Sequence, residues 1–578
     1  MRGLLYLKSE RYMRMKRFSL TAMAVLVTLI LNLVSCKKNE ITWFASGNGG
    51  IVAAGPEASV KAGLKILSKG GNAVDGAVAT VFNLAVSDYG SFCIGGEVPF
   101  MYFNSNTQKV KVFNGMGGAP GDQETIDGFY SSGIPIDRDG IKLSTVPSAV
   151  STLLAALEAD GTISFEQVIA PTLVLLDEGG EDWYPNLAKT FRRLISTEKE
   201  TRGTREEKIR AARDRFYKGD IADELNTYYI SSGGFLRKSD LESHVTKIEQ
   251  PVTINYRGYD VYKCNTWTQG PVLLQSLKLL ENFNLKSMGF CSADYIHITV
   301  ESMKLAYADR DKYYGDPAFS VVPLEKLLSD QYTKLRIPLI DMNNASLEIR
   351  PGDPYNMIAS AGPGQYWPGE HGTTTCVVVD KWGNAVAATP SSNGEYGICE
   401  SLGIAHNTRM TSFNTQKGHP NSVQPGKRPR ITLTPTIVLK DNKAVIAMSV
   451  AGGDMQDQVA LQLLLDNIEF GMRPKEALSS PRFHTYHTED SFNPSTDPAE
   501  RFLNIGALDI YSTDQSVIDN LVARKHIVKI VPEPIAAPAM VYIDQLTGVS
   551  YAATEPFYER ESSRGKLCGV INPSGPGN

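Results

Sequence analysis

The chain has 578 residues, 42 % of them hydrophobic and 21 % charged, an ordinary globular balance with apolar material for a large core. With 58 Lys+Arg against 63 Asp+Glu the net charge is −5, and no long basic run follows the N-terminus, so nucleic acid is excluded as an expected partner. No internal repeat or low-complexity segment suggests a solenoid or an array.

The first residues read as a segment outside the fold. A basic start, Met13-Arg14-Met15-Lys16-Arg17, is followed by the apolar run Leu20 to Leu31 and then by Leu33-Val34-Ser35-Cys36. This is the three-part layout of a secretory signal, too short for an ordinary membrane-spanning anchor. The closing residues also resemble a bacterial lipobox. On that reading residues 1–36 are a lipoprotein-type signal, Cys36 carries lipid, and Lys37 to Glu40 form a polar tether. A signal cut elsewhere, or kept as an anchor, is the alternative. The expected location is the bacterial periplasm, as a lipoprotein of the outer or inner membrane that touches membrane through its lipid alone. The six remaining cysteines sit at no metal-ligand spacing, and buried free thiols are expected.

Past the signal, the first half reads as mainly helical. Val60, Leu64 and Leu67 share one helical face, ending at Gly70-Gly71. Residues 72–86 predict a second, almost wholly apolar helix; residues 149–187, 200–218 and 293–312 predict amphipathic ones. Pro317 and the proline-rich stretch 351–368 mark irregular connections. The second half changes character. Thr374–Val379 and Ala385–Thr389 are β-rich runs joined by Asp380-Lys381-Trp382-Gly383-Asn384, a hairpin loop. Thr436–Leu439 and Ala444–Val450 repeat the pattern around Asp441-Asn442, and a helix over about 454–471 follows. Helices, then hairpins, then helix predict a layered α+β sandwich.

The first hairpin carries the chemistry. If Val379 pairs with Ala385, the register sets Val377 opposite Ala387 and Thr373 opposite Ser391, with opposed side chains about 5 Å apart on one face. Asn393 follows two residues along. Such hydroxyl pairs also occur for structural reasons. Before the strand, however, the chain reads Gly369-Glu370-His371-Gly372 and then Thr373. A Gly-Thr bond after a glycine- and proline-rich loop suits self-cleavage, because glycine hinders attack on its carbonyl least and a loop tolerates the strained geometry of an N-to-O acyl shift. Cleavage between Gly372 and Thr373 frees an α-amine of pKa near 8, the usual value, which can act as base for the threonine's own hydroxyl. Ala451-Gly452-Gly453 sits at a strand-to-helix turn, where backbone N–H groups at a helix N-terminus favour an oxyanion; a tight turn is the plainer reading. His371 and His406 are not needed by this chemistry.

These residues resemble the γ-glutamyltransferases (γ-glutamyltranspeptidases) of the N-terminal-nucleophile (Ntn) hydrolase superfamily, from about Gly50 to Gly565. Gly70-Gly71-Asn72-Ala73-Val74-Asp75 is similar to the family's N-terminal signature. Thr373-Thr374 through Asp380, Gly383-Asn384-Ala385-Val386, Arg428-Pro429, Pro435-Thr436-Ile437-Val438, Gly452-Gly453 and Pro481-Arg482-Phe483-His484 follow in the family's order. The resemblance implies a four-layer αββα fold, autoprocessed into a large subunit (37–372, mostly helical and completing the sandwich) and a small subunit (373–578) that stay associated. It implies Thr373 as nucleophile, Ser391 in place of a supporting threonine, Asn393 at the site, and Gly452 and Gly453 as oxyanion glycines.

The glutamate-recognition residues do not carry over. No arginine lies in Phe113 to Pro120, where Asn114 stands; Ser412 replaces the acidic residue for the α-amine; Ile431-Thr432 replaces a paired serine. The glycine-rich run after Cys93 is altered to Ile94-Gly95-Gly96-Glu97-Val98-Pro99-Phe100. Such a site should bind a zwitterionic glutamyl group poorly. Arg409 offers a nearby cation for a substrate carboxylate, or is a solvated arginine or an ion-pair partner. The expected activity is hydrolysis, rather than transfer, of a γ-glutamyl-type small-molecule amide through an acyl-enzyme. The alternatives are an amidase or acylase for a carboxy-acyl amide, and a non-catalytic surface-tethered binding protein. No metal or organic cofactor is suggested.

Overall fold

The computed structural model describes residues 41–134, 140–360, 373–392, 396–493, 504–557 and 566–571. Cys36, Gly372 and Asn393 therefore lie outside the described residues, and residues 41–578 form one unit.

Two seven-stranded antiparallel sheets make the centre. The first runs, edge to edge, Leu567–Val570, Gly50–Ala54, Cys376–Asp380, Ala385–Ala388, Phe100–Asn104, Lys109–Phe113 and Ile248–Glu249. The second runs Phe44–Gly47, Ser550–Thr554, Ala537–Ile543, Lys443–Ala451, Thr436–Lys440, Tyr259–Lys263 and Val252–Tyr256. In both sheets, strands from before Thr373 flank and pair with strands from after it.

Both faces of each sheet are covered, which yields four layers. In Gly50–Ala54, Ile51 and Ala53 point to one side and meet Ile437, Ala447 and Val541 of the second sheet. Val52 and Ala54 point to the other, against Val78, Phe82 and Leu154 of helices Ala73–Ser87 and Ala149–Asp160. Beyond the second sheet, Val438, Ile446 and Met448 pack on helices Pro271–Leu280, Ala293–Tyr313 and Met455–Ile468. The expected αββα sandwich is what the chain forms.

The first half is mainly helical among the described residues, but it also holds strands that its sequence does not announce. Among the described residues it supplies seven strands, including Gly50–Ala54 and Phe100–Asn104, whose every residue but Asn104 is buried. With both faces apolar, the polar–apolar alternation that announces a strand is absent. The stretch 149–187 divides into Ala149–Asp160, Phe165–Glu178 and the start of Tyr184–Glu200, broken at Gly161 and at Gly179-Gly180. The other expected helices form as Arg205–Lys218, Ala293–Tyr313 and Met455–Ile468.

Two sequence motifs are tied together here. Asn72 caps helix Ala73–Ser87 in a capping box with Asp75, which also accepts from Thr162. The Ala73 N–H donates to the Asp380 carboxylate (2.9 Å), which also accepts the N–H groups of Trp382 and Asn384 and the Asn384 amide. One buried carboxylate thus closes the hairpin turn and docks it on a helix N-terminus, where an anion is favoured. The second hairpin turns through Asp441 (φ 51°) and Asn442 (φ 59°), the left-handed pair of a two-residue loop.

The six described cysteines are free, five of them buried and Cys291 partly so. No helix among the described residues is long and apolar enough to cross a membrane.

Candidate active site

The hairpin register is the expected one: Val379 pairs with Ala385, Val377 with Ala387, and the ladder ends in a bridge between Thr373 and Ser391. Thr373 Oγ1 and Ser391 Oγ lie 3.3 Å apart, and both residues are buried. On its other side Ser391 pairs with Glu97, each backbone N–H donating to the other's carbonyl at 3.0 and 3.1 Å. Directly opposed residues point to one face, so Thr373, Ser391 and Glu97 form a row across three adjacent segments.

Arg409 spans that row. It stands in the single turn Arg409–Ser412, is buried, donates through Nε to Glu97 Oε1 at 2.5 Å, and donates through Nη2 to Ser391 Oγ. Of the three readings open for Arg409, the ion pair is the one formed. Burial outweighs the guanidinium and pushes the Glu97 carboxyl up to about 7.

The glycine turn reaches the same place from the second sheet. The Thr389 and Ser449 hydroxyls bond across the sheets at 2.9 Å, holding the strand that leads to Ser391 against the strand that leads to Gly452. Gly452 has φ 144° and Gly453 φ 56°, and helix Met455–Ile468 starts directly after Asp454. A Cβ on Gly453 would meet Phe492 Cε2 at 3.3 Å, and the Arg409 guanidinium lies 5.5 Å from the centre of that ring. Phe492 therefore links the glycine turn to the Thr373–Ser391–Glu97 row. Asp454 holds the neighbouring Ser491 by its N–H (3.0 Å) and hydroxyl (2.6 Å).

The other expected residues are placed as follows. Ser412 and Thr432 are buried, with side-chain oxygens that meet no hydrogen-bond donor or acceptor among the described residues. The Asn114 amide donates to Glu249 Oε1 at 2.9 Å, and Glu249 also holds Trp267 Nε1. His406 is engaged structurally, with Tyr229 at 3.0 Å and the Gly397 carbonyl at 2.7 Å.

Glu97, Phe492 and Lys566 were not singled out by the sequence. Lys566 donates to Thr374 Oγ1 (2.9 Å) and to Asp88 (3.3 Å), directly behind the residue after Thr373. The one available signal was the altered glycine run containing Glu97. Among the described residues no group of three or more His, Cys, Asp or Glu side chains could hold a metal ion.

A paired hydroxyl at the start of a strand, beside a glycine turn at a helix N-terminus, is an arrangement suited to acyl transfer. Comparison with known proteins agrees in kind. The model of the γ-glutamyltranspeptidase family matches residues 59–182 and 181–564. A glutathione hydrolase proenzyme of Escherichia coli (strain K12) is 32 % identical over 501 residues, spanning 77 % of this chain and 84 % of that one. Among solved structures, LmbA2991HD is 30 % identical and superposes with a TM-score of 0.81 over 91 % of this chain and 99 % of its own. A cephalosporin acylase from Bacillus halodurans is 25 % identical, with a TM-score of 0.74 over 92 % and 97 %. The chain belongs to the γ-glutamyltranspeptidase family of hydrolases and acyltransferases, built on the Ntn-hydrolase fold.

Proposed function

We propose that the protein is a self-cleaving amide hydrolase whose nucleophile is Thr373, acting on a γ-glutamyl-type amide. The observation that carries this is the 3.3 Å Thr373–Ser391 hydroxyl pair, at the residue that follows the Gly372-Thr373 bond.

In the precursor the Thr373 hydroxyl attacks the Gly372 carbonyl, the peptide shifts from nitrogen to oxygen, and water hydrolyses the ester. The freed α-amine then takes the hydroxyl proton as Thr373 attacks a substrate amide. The C–O ester bond forms, the C–N bond breaks, and the proton passes to the leaving amine. Water releases the acid and regenerates the hydroxyl. The N–H groups around Gly452 and Gly453 receive the oxyanion, and Asn393 supports the site. The two chains, 37–372 and 373–578, stay together because their strands interleave in both sheets. Hydrolysis is favoured over transfer.

Denatured masses of the protein and of a Thr373→Ala variant test this. Two fragments, the smaller beginning at Thr373, with an uncut variant, support the reading; a single uncut chain in both overturns it.

A second reading keeps the chemistry and changes the acyl group. Ser412 and Thr432 offer hydroxyls where a zwitterion needs charges, which favours an acylase for a non-glutamyl amide whose acyl group lacks the α-amine. γ-Glutamyl and glutaryl anilides assayed side by side separate the two; equal or better γ-glutamyl turnover removes the second. The N-terminal segment supports export and lipidation at Cys36. A mature protein whose first residue, read by mass spectrometry, is not a lipid-modified Cys36 would overturn that.

A further inference from the structure

Glu97 and Arg409 lie 312 positions apart, yet they make one buried unit against the hydroxyl that faces Thr373. Glu97 is fully buried and Arg409 is 4 % exposed. Two charges taken that far from water are costly unless they serve each other, and a well-packed apolar pair would often be as stable. Their position next to Ser391, rather than their stability, is what calls for a reason.

Donor chemistry supplies one. A guanidinium has only N–H groups to offer, so in its bond with Arg409 the Ser391 oxygen accepts. The Ser391 hydroxyl proton is then directed away from Arg409, and Thr373 Oγ1 stands 3.3 Å off on the shared face. Glu97 holds Arg409 from the Nε side and, as Ser391's cross-strand neighbour, has its own backbone locked to the same residue. The guanidinium is thereby held by its edge and cannot swing from the hydroxyl.

We infer that Glu97 and Arg409 are a positioning pair for the nucleophile: Arg409 orients and polarises Ser391 so that Ser391 donates to Thr373 Oγ1, and Glu97 fixes Arg409 while cancelling its charge. Negative charge that builds on Thr373 Oγ1 as its proton leaves for the α-amine is met by an O–H donor backed by a cation. Neither residue touches substrate; both act through Ser391. The inference rests on Thr373 as nucleophile.

The test is a charge-paired substitution in the full-length protein, assayed with γ-glutamyl and glutaryl p-nitroanilides. Glu97→Gln or Arg409→Gln alone leaves one buried charge without its partner and is expected to impair folding. The double variant Glu97→Gln/Arg409→Gln removes both charges and keeps the fold, checked by its melting temperature. Its kcat is expected to fall roughly 10- to 100-fold with KM nearly unchanged, less than the loss of an oxyanion donor, because a hydroxyl is misaimed rather than removed. Arg409→Lys, which keeps a cation beside the hydroxyl, should recover part of that loss. A folded double variant with full kcat would make the pair merely structural, and a raised KM with intact kcat would make Arg409 a substrate clamp; either overturns the inference. A wild-type chain that is uncut and releases no amine overturns Thr373 as nucleophile, and the pair's role with it; an active wild type with an unimpaired double variant overturns the pairing alone.

Discussion

Thr373 and Ser391 face each other at the open end of one β-hairpin, with Oγ1 and Oγ 3.3 Å apart and the Arg409 guanidinium bonded to the second. The ladder below sets this pairing: a slip of one residue would turn one hydroxyl to the opposite face. Ser391→Ala is therefore expected to leave the fold intact and lower kcat by roughly 10- to 100-fold. Ser391→Thr, which keeps a hydroxyl on the same carbon, should retain most activity. Steady-state rates of the two variants decide between a working hydroxyl and a space-filling one.

The glycine turn offers a contrast between two neighbours. Gly452, at φ 144°, holds a backbone conformation that side chains rarely adopt, and an added Cβ would stand 2.8 Å from the Ala536 Cβ. Gly453, at φ 56°, lies in the left-handed region, where the cost is about 1–2 kcal/mol, and its Cβ would meet only a ring edge at 3.3 Å. Gly452→Ala should destabilise by more than Gly453→Ala, by about 2 kcal/mol or more beyond it. Denaturant midpoints of the two variants provide the comparison, and equal midpoints would contradict it.

How much of this was legible depended on distance along the chain. The hairpin was readable because Val377, Val379, Ala385 and Ala387 and the Asp380–Asn384 loop lie within a dozen residues, and their register projects onto Thr373 and Ser391. Glu97 and Arg409 were each visible only as oddities; their partnership needed three segments from separate parts of the chain to be laid side by side. The same limit hid the strands of the first half. Gly50–Ala54 is apolar on both faces because a helix layer covers one and a second sheet the other, and nothing within five residues reports on that.

Asp380 joins the hairpin turn to helix Ala73–Ser87 through one carboxylate that accepts four hydrogen bonds. Asp380→Ala removes the turn's acceptor and a bond to the helix N-terminus together, leaving buried N–H groups without a partner. A loss of about 2–4 kcal/mol is expected, and Asp380→Asn, which keeps part of the acceptor set, should lose less. Urea unfolding of both variants measures this. A change within 0.5 kcal/mol, the usual span of surface substitutions, would show that the turn closes without the carboxylate.

Asp490 supplies a pH signature next to Phe492. Burial, reinforced by the nearby Asp454 carboxylate, pushes Asp490 from its ordinary 3.8 up to about 7. The folded state thus holds this proton more tightly than the unfolded chain. The resulting stability is fully present below about pH 4 and is lost as pH rises through 7, at about 1.4 kcal/mol for each unit of difference. Asp490→Asn cannot titrate. The stability difference between variant and wild type should therefore move in the variant's favour between pH 4 and 7 and level off above. Parallel denaturant curves across that range test the sign; a difference that moves the opposite way would mean the carboxylate is stabilised as an anion.

The family resemblance leads one to expect Ser412 in place of an acidic residue for the substrate's α-amine, and its hydroxyl is buried with no hydrogen-bond partner among the described residues. Ser412→Asp would add the missing anion in the turn that also carries Arg409. In the empty site a carboxylate buried to that degree is costly, so the variant should be less stable than the wild type. With a γ-glutamyl substrate bound, the ammonium repays that cost; with a glutaryl substrate, which has no amine, nothing does. The ratio of kcat/KM for γ-glutamyl over glutaryl anilide should rise roughly tenfold, equivalent to about 1.4 kcal/mol. An unchanged ratio would mean that position 412 does not face the acyl group, and that selectivity in this protein is set by other residues of the pocket.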